Sequence, residues 1–342
     1  MDKPRYAYQS AQHSILRPYY QRWIWIPLLR FIPASISPNA LTGLSTLSAA
    51  ASFFLAAVGR SSALAMVGAS LCVFIYLCLD NMDGAHARNT DQSSPLGEFL
   101  DHWLDTLNNG FIIVGACIAV DLSPFFTLLV LSAGTLAFFA VQLELRYTGV
   151  FRMGRVADIE GNTAVSGLYL LVALLGPEFF AWAPAEGWPS LAVLLGSGVI
   201  GQAAWTLVSA LWRLDTGYMD ALPIALCLGA LIAWGAGVTP GPSPGLEAAL
   251  LTACFFVNPV FTGRPILARL RGLSTAKADA FALAMVLAAS GAAIAGLANP
   301  GLLAWMVAAV LAAMTLRYAH LTIAALRRED PVPGSGEAGA EN

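Results

Sequence analysis

The chain has 342 residues, 57% hydrophobic and only 11% charged, with a mean hydropathy of +0.67. Soluble domains carry roughly 25% charged residues to cover their surface, so this composition excludes an ordinary soluble protein and indicates a polytopic membrane protein. The net charge of -3 supplies no basic field, and no nucleic-acid partner is expected.

The first forty residues mix aromatics, prolines and arginines, which is the wrong shape for a cleaved signal peptide, so the N-terminus is expected to be kept. From Ile15 to Pro33, Tyr19, Tyr20, Trp23, Trp25 and Leu28 interleave with Arg17, Arg22 and Arg30. That pattern predicts an amphipathic helix lying in the membrane interface.

A span needs about twenty mainly apolar residues, and such runs fall near 39–58, 62–82, 97–120, 123–145, 162–183, 188–211, 219–237, 246–263, 278–298 and 300–326. The fold class is therefore all-α, with about ten transmembrane helices plus the interfacial helix. The breaks carry turn residues, as at Gly59-Arg60-Ser61, Pro184-Ala185-Glu186-Gly187 and Thr239-Pro240-Gly241-Pro242. With the N-terminus in the cytoplasm, seventeen of the eighteen basic residues fall inside or near the inner interface, and Arg60 alone falls outside. Cys72, Cys78, Cys117, Cys227 and Cys254 lie within apolar runs without metal-ligand spacing and read as buried hydrophobes. The segment from Arg327 reads as a disordered tail.

Asp80, Asp83, Glu98, Asp101 and Asp105 gather at the ends of the second and third spans, in a chain otherwise short of charge. An ionised carboxylate in the bilayer centre costs about 2.5–3.5 kcal/mol on the lenient insertion scale, so a compensating cation is expected. On helices, Asp80 and Asp83 share one face, as do Gly97, Asp101 and Asp105. Oxygen ligands of this kind suit a hard ion, Mg²⁺ first, with Mn²⁺ or Ca²⁺ as substitutes. Two such ions about 4 Å apart could bridge a diphosphate. Gly84 and Gly97 let a phosphate or nucleotide approach the backbone, and Arg88 offers a fork to phosphate oxygens. Asp91 reads as a solvated loop acid.

The row Asp80-x2-Asp83-Gly84-x2-Ala87-Arg88-x8-Gly97-x3-Asp101-x3-Asp105 is similar to the signature of the CDP-alcohol phosphotransferase family, with every position filled. The resemblance implies a cytidine diphosphate donor, two divalent ions, attack of an acceptor hydroxyl on phosphorus and release of CMP. It implies metal ligation by Asp80, Asp83, Asp101 and Asp105, with Gly84 against the nucleotide and Arg88 near its phosphates. Ser37-Pro38-Asn39-Ala40-Leu41-Thr42, Ser93 to His102, and Tyr147-Thr148-Gly149 with Met153-Gly154 and Glu160-Gly161 resemble the choline and ethanolamine phosphotransferase branch. Asn89 departs from that branch, as do Val156, Ala157 and Asp158, which stand where it usually has Asn-Gly-Pro. The resulting division is an arm at 1–37, catalytic helices at 38–165, additional transmembrane helices at 166–326 and a tail at 327–342.

His102 follows Glu98 by four, so the carboxylate can orient the imidazole as a general base for the acceptor hydroxyl. Asp105 is the alternative base. Asn39 and Thr42 are candidates for ribose or cytosine contacts, with helix capping an equal use for Asn39. Glu160 is either a substrate-site acid or a loop acid. His86 is next to the phosphate region but is expected to point elsewhere on its helix, His13 and His320 read as surface or packing residues, and Asn258 reads as a packing or interfacial residue.

The expected reaction passes a phosphoaminoalcohol group from CDP-choline or CDP-ethanolamine to diacylglycerol or a similar lipid alcohol, in the membrane, with the site facing the cytoplasm. A homodimer is compatible with it. The alternatives are a CDP-diacylglycerol-dependent transfer to a soluble alcohol and, in another class, an ion-coupled transporter or lipid scramblase.

Overall fold

The computed structural model describes residues 9–154, 156–238, 243–273 and 279–329. Lys3, Arg5, Arg155, Lys277, the Thr239 to Pro242 loop and the tail from 330 lie outside the described residues. Arg327 and Arg328, expected in the tail, instead close the last helix.

The N-terminal arm begins with a short strand, β1 (Gln9–Gln12), followed by α1 (Arg17–Tyr20), a π-helical turn (Gln21–Trp25) and α2 (Ile26–Leu29). It is amphipathic in a different sense from the expectation. Trp25 is buried with Leu16, Tyr20, Ile24 and Leu29 against Leu77, Cys78, Met82 and Ile159, while Tyr19, Trp23 and Phe31 face outward. The arm is thus packed on the bundle as well as presenting aromatics outward.

Among the described residues, ten longer helices follow: α3 (Pro38–Gly59), α4 (Ala63–Asn89), α5 (Pro95–Ala119), α6 (Pro124–Thr148), α7 (Asp158–Leu175), α8 (Leu191–Trp212), α9 (Leu222–Gly237), α10 (Pro244–Leu270), α11 (Ala280–Ile294) and α12 (Pro300–Glu329). Within the described residues, seven of these are long and apolar enough to cross a membrane, counting α9 with the 3-10 turn before it. The other three are α5, which carries Glu98, Asp101 and Asp105, α7, which opens on Asp158 and Glu160, and α11, which has fifteen residues. Large apolar side chains such as Leu47, Leu64, Leu174, Trp205 and Leu316 stay exposed on the outside, as lipid contact requires.

Local chemistry explains the starts. Ser-Pro pairs open α3, α5, α6 and α10, where Ser37, Ser94, Ser123 and Ser243 each accept a hydrogen bond from a first-turn amide. Proline at the first position gives up only an amide that has no helical partner, and each cap is worth about 1 kcal/mol. Between α4 and α5, Asp91 is exposed, which fits its reading as a solvated loop acid, and it takes a left-handed backbone with φ 55°.

The helices pack with α3 against α4 and α5, α7 against α4, and α10 against α5, α6 and α12. Buried polar groups stitch them: Asn258 on α10 donates to the Thr106 carbonyl on α5 at 3.0 Å, and Ser70 on α4 pairs with Ser166 on α7 at 2.9 Å. Helix α10 runs past Pro259 and Pro265 to Leu270, beyond the expected stop near 263. Side chains of α5 and α12 grip this stretch, Trp103 Nε1 on the Pro259 carbonyl at 3.3 Å and Tyr318 on the Gly263 carbonyl at 2.6 Å. At the end of the bundle away from the acidic residues, Arg60 forms an ion pair with Asp121.

One element departs from the all-α expectation. β2 (Val150–Met153), in the loop between α6 and α7, pairs in parallel with β1, setting Gln9 opposite Val150 and Gln12 opposite Met153. The arm is thereby laced to the loop that leads into α7.

Candidate active site

The motif acids sit on helices rather than on a loop, because α4 continues as helix through Asn89 and α5 restarts at Pro95. Carboxylate oxygens of Asp80, Asp101 and Asp105 all lie within 4.8 Å of one another. Each of these residues is half-buried. Asp80 Oδ1 is buried and has no hydrogen-bond partner, while Asp105 Oδ1 receives Asn108 Nδ2 at 3.3 Å and the Tyr76 hydroxyl at 3.5 Å. Three converging acids, one with an orphaned oxygen, form a donor set that fits a hard divalent cation.

Asp83 stands apart from this trio. It is buried, its Oδ2 accepts the Thr42 hydroxyl at 2.6 Å, and its Oδ1 accepts the Gly84 amide at 2.5 Å. The structure therefore places Thr42 on a motif carboxylate. Asn39 is not the helix cap either, since Ser37 performs that role. Its side chain lies beside Gly97, where a Cβ would stand 3.2 Å from Asn39 Oδ1. The room left at Gly97 is thus taken by Asn39. At Gly84 a Cβ would stand 3.4 Å from Arg88 Nη1, so the exposed Arg88 folds its guanidinium over that glycine.

On α5, positions 98 and 102 form a second row, one residue offset from 97, 101 and 105, and face other neighbours. His102 is buried, with Nε2 4.0 Å from Glu98 Oε1, Nδ1 3.3 Å from Gln142 Nε2 on α6, and its ring 5.4 Å from that of Phe151 on β2. Glu98 forms an ion pair with Arg269, near the end of α10. Hence α5 presents the metal-type acids toward α4 and the Glu98–His102 pair toward α6, β2 and α10.

Glu160, left open between two readings, is a tether. Its carboxylate accepts the Ser14 hydroxyl at 2.6 Å and the amides of Leu16 and Ala157 at 3.0 and 3.1 Å. His86 likewise has a packing role, with Nε2 2.8 Å from the Ile36 carbonyl.

Several residues near the site escaped the sequence reading. Gln142 and Arg269 sit on later helices with no motif around them. Asp158, at the first turn of α7, acts electrostatically on Asp80, Asp101 and Asp105, and Arg17 of the arm offsets it. Glu144, fully buried, binds Arg213 through two 2.7 Å hydrogen bonds and Arg152 at 2.8 Å, which ties the end of α6 to β2 and to the end of α8. The same carboxylate holds the Arg213 guanidinium above its ordinary value. The signal was available for Asp158, an acid next to Glu160-Gly161; for the others only distance in space reveals the contact.

These features define an acidic, metal-type site at one end of a membrane helix bundle, with an arginine and two glycines beside it. Residues 35–196, which contain all of the motif, match the sequence model of the CDP-alcohol phosphatidyltransferase family, and this segment belongs to that family. The chain is similar to cholinephosphotransferase 1 of Gallus gallus, 33% identical over 181 residues, which is 50% of this chain and 53% of that protein. It is also similar to cholinephosphotransferase 1 of Homo sapiens, 33% identical over 180 residues, 50% of this chain and 44% of that protein. A CDP-diacylglycerol--serine O-phosphatidyltransferase of Encephalitozoon cuniculi is 28% identical over 234 residues, 60% of each chain. The aligned part spans about half the length of the cholinephosphotransferases it matches.

Proposed function

We propose that the protein transfers a phosphoaminoalcohol group from CDP-choline or CDP-ethanolamine to diacylglycerol or a similar lipid alcohol, giving a phospholipid and CMP. The observation that carries this reading is the convergence of Asp80, Asp101 and Asp105 within 4.8 Å, beside the Arg88 guanidinium that lies over Gly84.

Asp80, Asp101 and Asp105 would hold Mg²⁺, with Mn²⁺ as a substitute, and Asp83 would serve as a fourth ligand for a second ion. When bound, the ions neutralise the diphosphate and act as Lewis acids at phosphorus. Arg88 binds phosphate oxygens as a permanent cation. Thr42 orients Asp83, and Asn39, which fills the room at Gly97, offers its side chain to the nucleotide there.

The acceptor oxygen attacks the phosphorus that carries the head group, and the bond from that phosphorus to the bridging oxygen of CMP breaks. His102 takes the hydroxyl proton, and Glu98 stabilises the resulting imidazolium. Asp105 is the alternative base. Because the two rows of α5 face different neighbours, the donor lies toward α3 and α4 and the lipid hydroxyl arrives from the side of α6 and α10. The donor enters from the cytoplasm, where the basic residues concentrate.

The test is CMP release from radiolabelled CDP-choline and CDP-ethanolamine by purified protein in liposomes. Release that requires a lipid alcohol, with label moving into the lipid phase, is the expected result. A second reading, transfer from CDP-diacylglycerol to a soluble alcohol, is favoured by the similarity to the Encephalitozoon cuniculi protein. It takes precedence if that donor with a soluble alcohol yields CMP while both aminoalcohol donors are inert.

A further inference from the structure

Helix α10 lies outside the matched segment 35–196, yet it delivers a cation to the site. The side chains of Arg269 and Glu98 are 9% and 11% exposed, and they form an ion pair across 171 residues of sequence. A carboxylate so enclosed needs a partner to offset its lost hydration. Arg269 meets Glu98 because α10 is fixed along α5 by the Asn258 contact with the Thr106 carbonyl and the Trp103 contact with the Pro259 carbonyl. From that position Glu98 stands one turn from His102, 4.0 Å from its Nε2.

We propose that Arg269 is a positioning residue for the transfer: its ion pair holds the Glu98 carboxylate facing His102, so that the distal half of the chain completes the proton-accepting side of the site. This rests on the reading of His102 as the base. In the step itself the acceptor O–H bond breaks, the acceptor oxygen forms the new O–P bond as the bond from that phosphorus to the bridging oxygen breaks and CMP leaves with its electron pair, and the proton moves to His102. The imidazolium so formed is stabilised by Glu98 and later returns its proton to water. Without the guanidinium, Glu98 is released to turn away from the ring.

The test is a double-mutant cycle on the full-length protein in liposomes, with kcat and donor KM measured for Arg269→Gln, Glu98→Gln and the double variant. Arg269→Lys and His102→Ala are run beside them, with melting temperatures recorded for all. Arg269→Gln is expected to lower kcat by about 10–100-fold, the range seen when a partner of a site group is removed, with donor KM unchanged. Arg269→Lys is expected to restore most of kcat, and the double variant to fall no further than Glu98→Gln alone. Additive losses, or a lowered melting temperature with normal kcat for Arg269→Gln, would overturn the proposal while leaving the base assignment standing. Full turnover by His102→Ala would overturn the base assignment and the proposal with it.

Discussion

The Thr42 hydroxyl on α3 donates to Asp83 Oδ2 on α4 at 2.6 Å, and with the Gly84 amide on Oδ1 it fixes both oxygens of that carboxylate. A carboxylate held this way keeps one orientation toward any ion it serves. Thr42→Val should weaken the apparent affinity for Mg²⁺ by about 10–100-fold, whereas Thr42→Ser should stay near wild type. Titration of activity against Mg²⁺ measures this, and an unchanged midpoint for Thr42→Val would show that Asp83 needs no such support.

Asp80→Asn, Asp101→Asn and Asp105→Asn should each remove most activity while leaving the protein inserted in membranes. Excess chelator should do the same to the unaltered protein, and added Mg²⁺ should restore it. Full turnover in chelator is the result that sinks the metal assignment.

His102→Ala should slow turnover by about 10²–10⁴, the contribution expected of a general base, with donor binding kept. If His102→Ala instead turns over normally, and Asp105→Asn binds metal and nucleotide but is inactive, Asp105 is the base. Single-turnover assays with separate measurement of nucleotide binding distinguish the two.

Glu144 is predicted to matter for stability in an asymmetric way. The guanidinium side chains of Arg152 and Arg213 are 37% and 42% exposed, so on Glu144→Gln they can rehydrate and the loss should be mild. Replacing both arginines by Gln leaves a buried carboxylate without its partners, which costs about 3–5 kcal/mol. Melting temperatures in detergent should rank the double arginine variant well below Glu144→Gln, and the reverse order would refute the burial argument.

The sequence by itself determined the membrane class, helical stretches close to α3 through α12, and the place of Asp80, Asp101 and Asp105 on α4 and α5. Apolar run length, turn residues and the spacing of three and four are local properties, and helix geometry converts them directly into positions. Asp91 as a solvated loop acid and Asn258 as a packing residue were legible as well. What only the tertiary structure decided is which neighbours those faces meet. Helical spacing could offer Thr42 and Asn39 to a nucleotide, but packing of α3 on α4 and α5 turned one to Asp83 and the other toward Gly97. Glu160 became a tether because the arm folds back onto α7 and pairs β1 with β2. The arrival of Arg269 at Glu98 required α10 to remain helical past two prolines, a stretch gripped by side chains of α5 and α12. Proline removes a backbone donor and disfavours helix locally, so only contacts distant in sequence could carry α10 to the site.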